Sequence, residues 1–163
     1  MKKLFFIIAI SFFMVMCKSA KTSSDTKKDD MSSVEVRYRD DFRAATTSER
    51  SNVLSELKAT ANEASVLIFT QNYKGEKIEV KSKGKRIYND YIISNLDTGI
   101  GDKLKIDNTK ETKVYDNLTK QVITIPADKA SKYKFIYLMK NPGGEKQYIL
   151  TYSNTLRPLG YDL

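Results

Sequence analysis

The chain has 163 residues and a formal net charge of +8, with 28 lysines and arginines against 20 aspartates and glutamates. It has no histidine and one cysteine, Cys17, which excludes histidine-based catalysis, histidine metal ligands and a disulfide within the chain. The basic balance suits a solvated surface, an anionic membrane or an acidic glycan, and no nucleic-acid-binding motif is present.

The first residues show the pattern of a secretory signal. Lys2 and Lys3 precede residues 4–16, an uncharged run whose only polar member is Ser11. A helix of that length rises about 20 Å, which is less than the ~30 Å hydrocarbon core of a bilayer. A permanent transmembrane helix is therefore the weaker interpretation.

Residues 1–17 resemble a bacterial lipoprotein signal, because the apolar run ends directly at Cys17. The resemblance implies that residues 1–16 are removed and that the acylated Cys17 holds the protein at a membrane, in the periplasm or at the cell surface. Met16 stands where such signals carry Gly, Ala or Ser. Ordinary cleavage after Ser19 is the alternative, and it predicts a soluble secreted protein.

A polar segment follows the cysteine. Residues 17–33 contain Met31 and no other large apolar side chain, so they cannot bury enough surface to offset the entropy of ordering. They predict a flexible tether. Residues 34–163 then form a single domain.

The start of this domain predicts one strand and one helix. Residues 34–39 alternate between apolar and charged side chains, as in a short strand. Residues 46–65 predict an amphipathic helix, with Thr46 and Glu49 as a capping box. Its narrow apolar face predicts a cover for a sheet edge and consists of Val53, Leu54, Leu57, Ala61 and Ala64.

From residue 66 onward the apolar pattern has the period of two typical of strands. Residues 66–71 predict a central strand, and Gly84 predicts a hairpin turn between residues 77–83 and 86–94. Further strands are predicted at 103–106, 112–115 and 121–125, before a final hairpin. Together, these strands and turns predict an all-β fold, a β-sandwich of about eight short strands with one N-terminal helix. A small barrel is the alternative.

The final hairpin carries the clearest pattern. Tyr133, Phe135, Tyr137 and Met139 alternate on one strand, and residues 141–144 (Asn-Pro-Gly-Gly) predict a turn. The predicted register pairs Met139 with Tyr148, Tyr137 with Leu150 and Phe135 with Tyr152. A shift of one residue would bring Ile149 to that face instead.

No catalytic motif is present, and no cofactor is predicted. A carboxylate pair alone suffices for glycoside hydrolysis, but the aspartates that could form one lie in or near turns: Asp90, Asp97, Asp102, Asp107 and Asp116. Asp97 and Asp102 flank a Gly-containing loop and are weak candidates for a calcium site, with a plain turn as the stronger interpretation.

One predicted hairpin is strongly cationic. Its candidate partner-binding residues are Lys77, Lys81, Lys83, Lys85 and Arg86. Such a surface can face anionic lipid headgroups or an acidic partner. The alternative is an edge hairpin that uses lysine to block unwanted strand pairing.

Three functional hypotheses follow. The first is an exported, lipid-anchored domain of the cell envelope that binds a protein or glycan partner without catalysis, as a toxin-immunity protein would. The second is a hydrolase of glycans or peptidoglycan that uses a carboxylate pair. The third is a structural component of an envelope complex, which predicts a contiguous exposed apolar patch.

Overall fold

The structure is a computed structural model that describes residues 31–159, so the predicted signal, Cys17 and the tether up to residue 30 lie outside it. Within this range the chain is mostly β, which confirms the predicted all-β class. The strands are β1 (Val34–Tyr38), β2 (Ala64–Phe69), β3 (Lys74–Ser82), β4 (Lys85–Ile93), β5 (Asp102–Asp107), β6 (Thr112–Asp116), β7 (Val122–Ile125), β8 (Phe135–Lys140) and β9 (Tyr148–Ser153). The helices are α1 (Thr47–Glu56) and α2 (Ala127–Ala130), and a 3-10 turn at Met31–Ser33 precedes β1.

The strands form two sheets. A five-stranded sheet has the order β1-β9-β8-β2-β5, and a four-stranded antiparallel sheet has the order β4-β3-β6-β7. The first sheet is mixed, because β1 runs parallel to β9 and β2 runs parallel to β8. Apolar side chains from both sheets share one core, so the fold is sandwich-like.

The central strands of the five-stranded sheet are buried on both faces. Every residue of β2 and β9 is buried, as are five of the six residues of β8. The outer face packs against α1 and its flanking loops through Val53, Leu54 and Leu57. The helix therefore covers a sheet face, whereas the sequence predicted that it would cover an edge.

The helix is also shorter than predicted. Thr46 caps it as expected by accepting a hydrogen bond from the Glu49 backbone N–H at 3.1 Å. It ends at Glu56, nine residues before the predicted end, because Lys58 adopts a left-handed φ of 52°. The N–H of Ala59 then reaches back to the Leu54 carbonyl at 2.8 Å, which closes the helix.

The predicted register of the last hairpin is wrong by one residue. Met139 pairs with Ile149 and Leu138 with Leu150. Strands with one buried face show alternation that fixes the register, but here both faces are buried and apolar residues occupy both sets of positions.

The two ends of the sandwich differ, and we name them by where the described chain begins. The proximal end holds Met31–Ser33, the β6–β7 turn and the β8–β9 loop, and Ser33 Oγ donates to Gln121 Oε1 at 3.1 Å. Residues 31–33 thus form an ordered turn where the sequence predicted the last part of the tether. The distal end holds the β3–β4 and β5–β6 turns. No helix within residues 31–159 has the length and hydropathy needed to cross a membrane.

Candidate functional site

A cluster of buried charges lies at the proximal end, between the two sheets. Lys140, the last residue of β8, donates from Nζ to Glu76 Oε1 at 2.7 Å and to Asp116 Oδ2 at 2.9 Å. Glu76 comes from β3 and Asp116 from the end of β6. All three residues are buried, and Asp116 is inaccessible to solvent. We call Glu76, Asp116, Lys140, Tyr148 and Thr119 the buried charge cluster.

Hydroxyl and backbone groups complete this cluster. Tyr148 donates to Asp116 Oδ2 at 2.7 Å, so the hydrogen bond between Thr119 Oγ and the Tyr148 hydroxyl, at 2.6 Å, has Thr119 as its donor. The other carboxylate oxygen of Asp116 accepts from the backbone N–H groups of Leu118 and Thr119. These bonds also shape the β6–β7 turn.

The hydrogen bonds decide the ionisation of the cluster. Burial alone would raise the pKa of Asp116 and Glu76, but bonds from Tyr148 and Lys140 outweigh it for Asp116, and bonds from Lys140 and backbone N–H groups outweigh it for Glu76. Both carboxyl pKa values therefore lie below their usual range. Burial lowers the pKa of Lys140, yet its two carboxylate partners bring the net pKa above the usual range.

A cleft of about 310 Å³ adjoins the cluster and includes Glu76, Lys140 and Tyr148 in its wall. Glycoside hydrolysis needs one carboxyl group that is protonated and can reach the substrate. Here both carboxylates are ionised and bound to the same ammonium group. As arranged, the cluster joins the two sheets at the wall of the cleft.

The structure disperses most of the aspartates that the sequence singled out. Asp116 alone enters the buried cluster, and the sequence missed its partners Glu76 and Lys140. Asp102 accepts from the Tyr88 hydroxyl at 2.6 Å, while the backbone N–H of Asp97 donates to Asn95 in a turn. The described part of the chain has no group of three or more acidic, cysteine or histidine side chains placed to hold a metal ion.

A second cleft, of about 380 Å³, lies at the distal end between the β3–β4 hairpin and the β5–β6 turn, which crosses from one sheet to the other. We call it the cationic cleft, and it is lined by Ser82, Lys83, Lys85, Ile87, Lys105, Asp107 and Lys110. The lysines outnumber its one acidic residue by four to one. Among residues 31–159, no hydrogen bond or ion pair engages the ammonium groups of Lys83, Lys85 and Lys105.

Two tight turns build this cleft. Lys83 and Gly84 both have positive φ, 47° and 76°, as the predicted hairpin turn requires, and they place Lys83 beside Lys85. In the β5–β6 turn, Asp107 accepts from Thr109 and forms an ion pair with Lys110. The bonds from Lys110 and Thr109 lower the pKa of Asp107 to about 2.

The cationic residues predicted from sequence are divided by the fold. Lys83 and Lys85 line the cationic cleft, whereas Lys81 and Arg86 lie on the outer side of the four-stranded sheet, where both approach Glu79. Lys77 lies over the Tyr91 ring at 5.6 Å from its centroid. β4 is an edge strand. The alternative interpretation, in which lysines of this hairpin block unwanted strand pairing, requires such a position.

Lys105 and Lys110 were missed because they lie in β5 and in the β5–β6 turn, outside the β3–β4 hairpin. β4 and β5 lie in different sheets, and the bond from Tyr88 to Asp102 joins them along one side of the sandwich. The order of side chains along a single hairpin does not predict this contact between β4 and β5.

A third cleft, also of about 380 Å³, runs along α1. Its two glutamates are engaged: Glu49 accepts from the Leu159 backbone N–H at 2.7 Å, and Glu56 approaches Lys103 at 3.5 Å. The cationic cleft therefore has more charged side chains without a partner in residues 31–159 than the cleft along α1 has.

No protein-family profile matches the sequence, and no curated protein matches it.

Proposed function

We propose that this chain is an exported, lipid-anchored domain that binds an anionic partner in the cationic cleft and catalyses no reaction. The observation that carries the proposal is the set of three lysines, Lys83, Lys85 and Lys105, that line one concave site without a partner in the described chain. Like charges held on one surface repel each other, and an anion relieves that repulsion.

The chemistry of the cleft suits carboxylate or phosphate groups on an extended partner. Lysine is a mobile point charge, so it accepts anions at variable spacing more readily than a fixed arginine fork would. Ile87 adds an apolar contact, and the buried hydroxyl of Ser82 has no hydrogen-bond partner among residues 31–159. Hydrolysis is the less favoured function because the two buried carboxylates of the cluster, Glu76 and Asp116, are both held by Lys140.

The position of the cleft supports a tethered role. Met31–Ser33 lies at the proximal end, and the cleft lies at the distal end. An anchor at Cys17 would therefore present the cleft away from the membrane.

A binding experiment with defined polymers tests the proposal. We expect the protein to bind heparin and polyglutamate, and not neutral dextran, with an affinity that falls as salt rises. The variant Lys83→Asn/Lys85→Gln/Lys105→Gln should lose about tenfold or more in affinity. Lys83→Asn suits the left-handed backbone at that position.

The matched control is Lys58→Gln/Lys120→Gln/Lys132→Gln, which removes the same charge from exposed sites outside the cleft. It should bind nearly as well as the unmodified protein. Equal losses in both variants would show that net charge alone drives binding, and the cleft would then not be the site.

Mass spectrometry of the mature N-terminus tests the anchor. A diacylated or triacylated Cys17 is the expected result. A free N-terminus at Ala20 would contradict lipidation and leave a secreted binding domain.

A further inference from the structure

The most exposed large apolar side chains gather at the proximal half of the sandwich. Leu96 is 97% exposed, Leu118 and Ile93 are 68% exposed and Tyr91 is 66% exposed. Leu118 is at the tip of the β6–β7 turn, Ile93 ends β4, and Leu96 lies in the loop that follows. We call these four side chains the proximal apolar patch.

Two members of the patch, Ile93 and Leu118, lie beside the start of β3. The space above Gly75 is bounded by Ile93, whose Cγ1 lies 3.9 Å from the position a Gly75 Cβ would occupy. A shallow cleft beside Gly75 is lined by Leu118. Leucine and isoleucine side chains this exposed leave apolar surface in contact with water. An apolar partner that covered this surface would bind favourably.

Lysines lie beside the part of the patch that contains Leu118. Lys74 and Lys77 share the shallow cleft with Leu118, and Lys120 follows it by two residues. Within the described chain, the ammonium groups of Lys74 and Lys120 have no ion-pair or hydrogen-bond partner. Glu76, the carboxylate in this cleft, is neutralised by Lys140, and two exposed aspartates, Asp90 and Asp97, adjoin Tyr91 and Leu96 in the chain. Exposed apolar side chains with lysines beside them are typical of surfaces that enter the interface of an anionic membrane.

The chain also leaves the described structure at this end. Residues 18–30 separate Cys17 from Met31, and a coil of that length spans about 20 Å on average. An acyl anchor at Cys17 would hold the proximal end close to the bilayer, which raises the effective concentration of the patch at the lipid surface.

We propose that the proximal apolar patch docks on the surface of an anionic membrane, with Leu118, Leu96 and Ile93 at the boundary between headgroups and acyl chains. This inference rests on the lipid anchor of the proposed function. Docking orients the domain, so that the cationic cleft points away from the bilayer.

The test uses the full-length protein, exported and lipid-anchored, in vesicles of phosphatidylcholine with a minority of phosphatidylglycerol. A fluorophore is attached to a cysteine introduced by Leu118→Cys or Leu96→Cys, and lipids carry the quencher. The control is Ser131→Cys, an exposed position beyond α2 at the distal end. All three sites are exposed, so the substitutions leave the core intact, and equal melting curves verify this.

We expect quenching at positions 118 and 96 to be about threefold or more stronger than at 131, since apolar faces enter the interface by about 5–10 Å. Equal quenching at the three positions would show a domain that tumbles freely, and stronger quenching at 131 would show the opposite orientation. Either result overturns docking. The unmodified protein should take no label, because acylated Cys17 has no free thiol. Labelling of Cys17 would overturn the anchor itself, and with it this inference.

Discussion

At the scale of single residues, Lys140 is the side chain on which the buried charge depends. It neutralises Glu76 and Asp116 together, and neither carboxylate has another cation within bonding distance among the described residues. Removing one member of a buried ion pair leaves the others buried without compensation, which costs far more than the pair contributes.

The substitution Lys140→Met should therefore lower the free energy of unfolding by about 3–5 kcal/mol at neutral pH. Without Lys140, burial and mutual repulsion raise the pKa of both carboxyl groups, so their protonation on acidification removes part of the penalty. We expect a smaller loss at about pH 4 than at neutral pH in urea denaturation.

The control for this prediction is Lys132→Met, an exposed lysine whose replacement should change stability by less than about 0.5 kcal/mol. In the unmodified protein, acidification has the opposite effect, because it removes a stabilising contribution of the two carboxylates. Glu76 and Asp116 have lowered pKa values, so their contribution is present above about pH 4 and is lost as pH falls through the folded-state pKa values. A loss from Lys140→Met that does not depend on pH would contradict the account.

Lys58 is a second residue with a local effect. Its φ of 52° is left-handed, where a Cβ is strained and glycine is not. Lys58→Gly should raise the free energy of unfolding by up to about 1 kcal/mol, measured by thermal and urea denaturation. Lys132→Gly, at a position without positive φ, should leave stability unchanged or lower it.

Lys58 also explains why the helix boundary was not predicted. Helices commonly end at a glycine in the left-handed conformation, and the sequence has none near residue 58. The alanines at 61 and 64 continue a helical spacing, so local pattern favours a longer helix. The turn at Lys58 lets Ala59 and Ala64 be buried between α1 and the outer face of the five-stranded sheet.

At the scale of elements, strands with one buried face were predicted best. β3 alternates between buried and partly exposed residues along its second half, and β6 alternates throughout, as their sequences indicate. The sequence also marks β2 as a central strand, which is confirmed by its place between β8 and β5. The register of β8 and β9 was lost because a strand buried on both faces has no alternation to read.

Burial predicts how the elements exchange their amide hydrogens. β2 and β8 are interior strands covered on both faces, whereas β4 is an edge strand with seven exposed residues among its nine. Amide protection measured by hydrogen exchange should be highest in β2 and β8 and lowest in β4 among the longer strands. Protection in β4 equal to that in β2 would indicate that another surface covers the edge.

At the scale of the whole molecule, the two ends of the sandwich carry different chemistry. The proximal end holds the buried charge cluster and the exposed apolar patch, and the distal end holds the cationic cleft. Sequence alone indicated the cationic character of residues 77–86. It could not bring Lys105 and Lys110 to the same site, because that contact depends on how two sheets meet.

The central claim is that the cationic cleft is the binding site. The measurement that tests it most directly is the change of backbone amide NMR shifts while polyglutamate is added to the isotopically labelled protein. The account predicts that the largest changes fall at Ser82, Lys83, Lys85, Lys105 and Lys110, and that they reverse when salt is raised. Changes centred on the proximal end, or changes spread evenly over all exposed lysines, would contradict it.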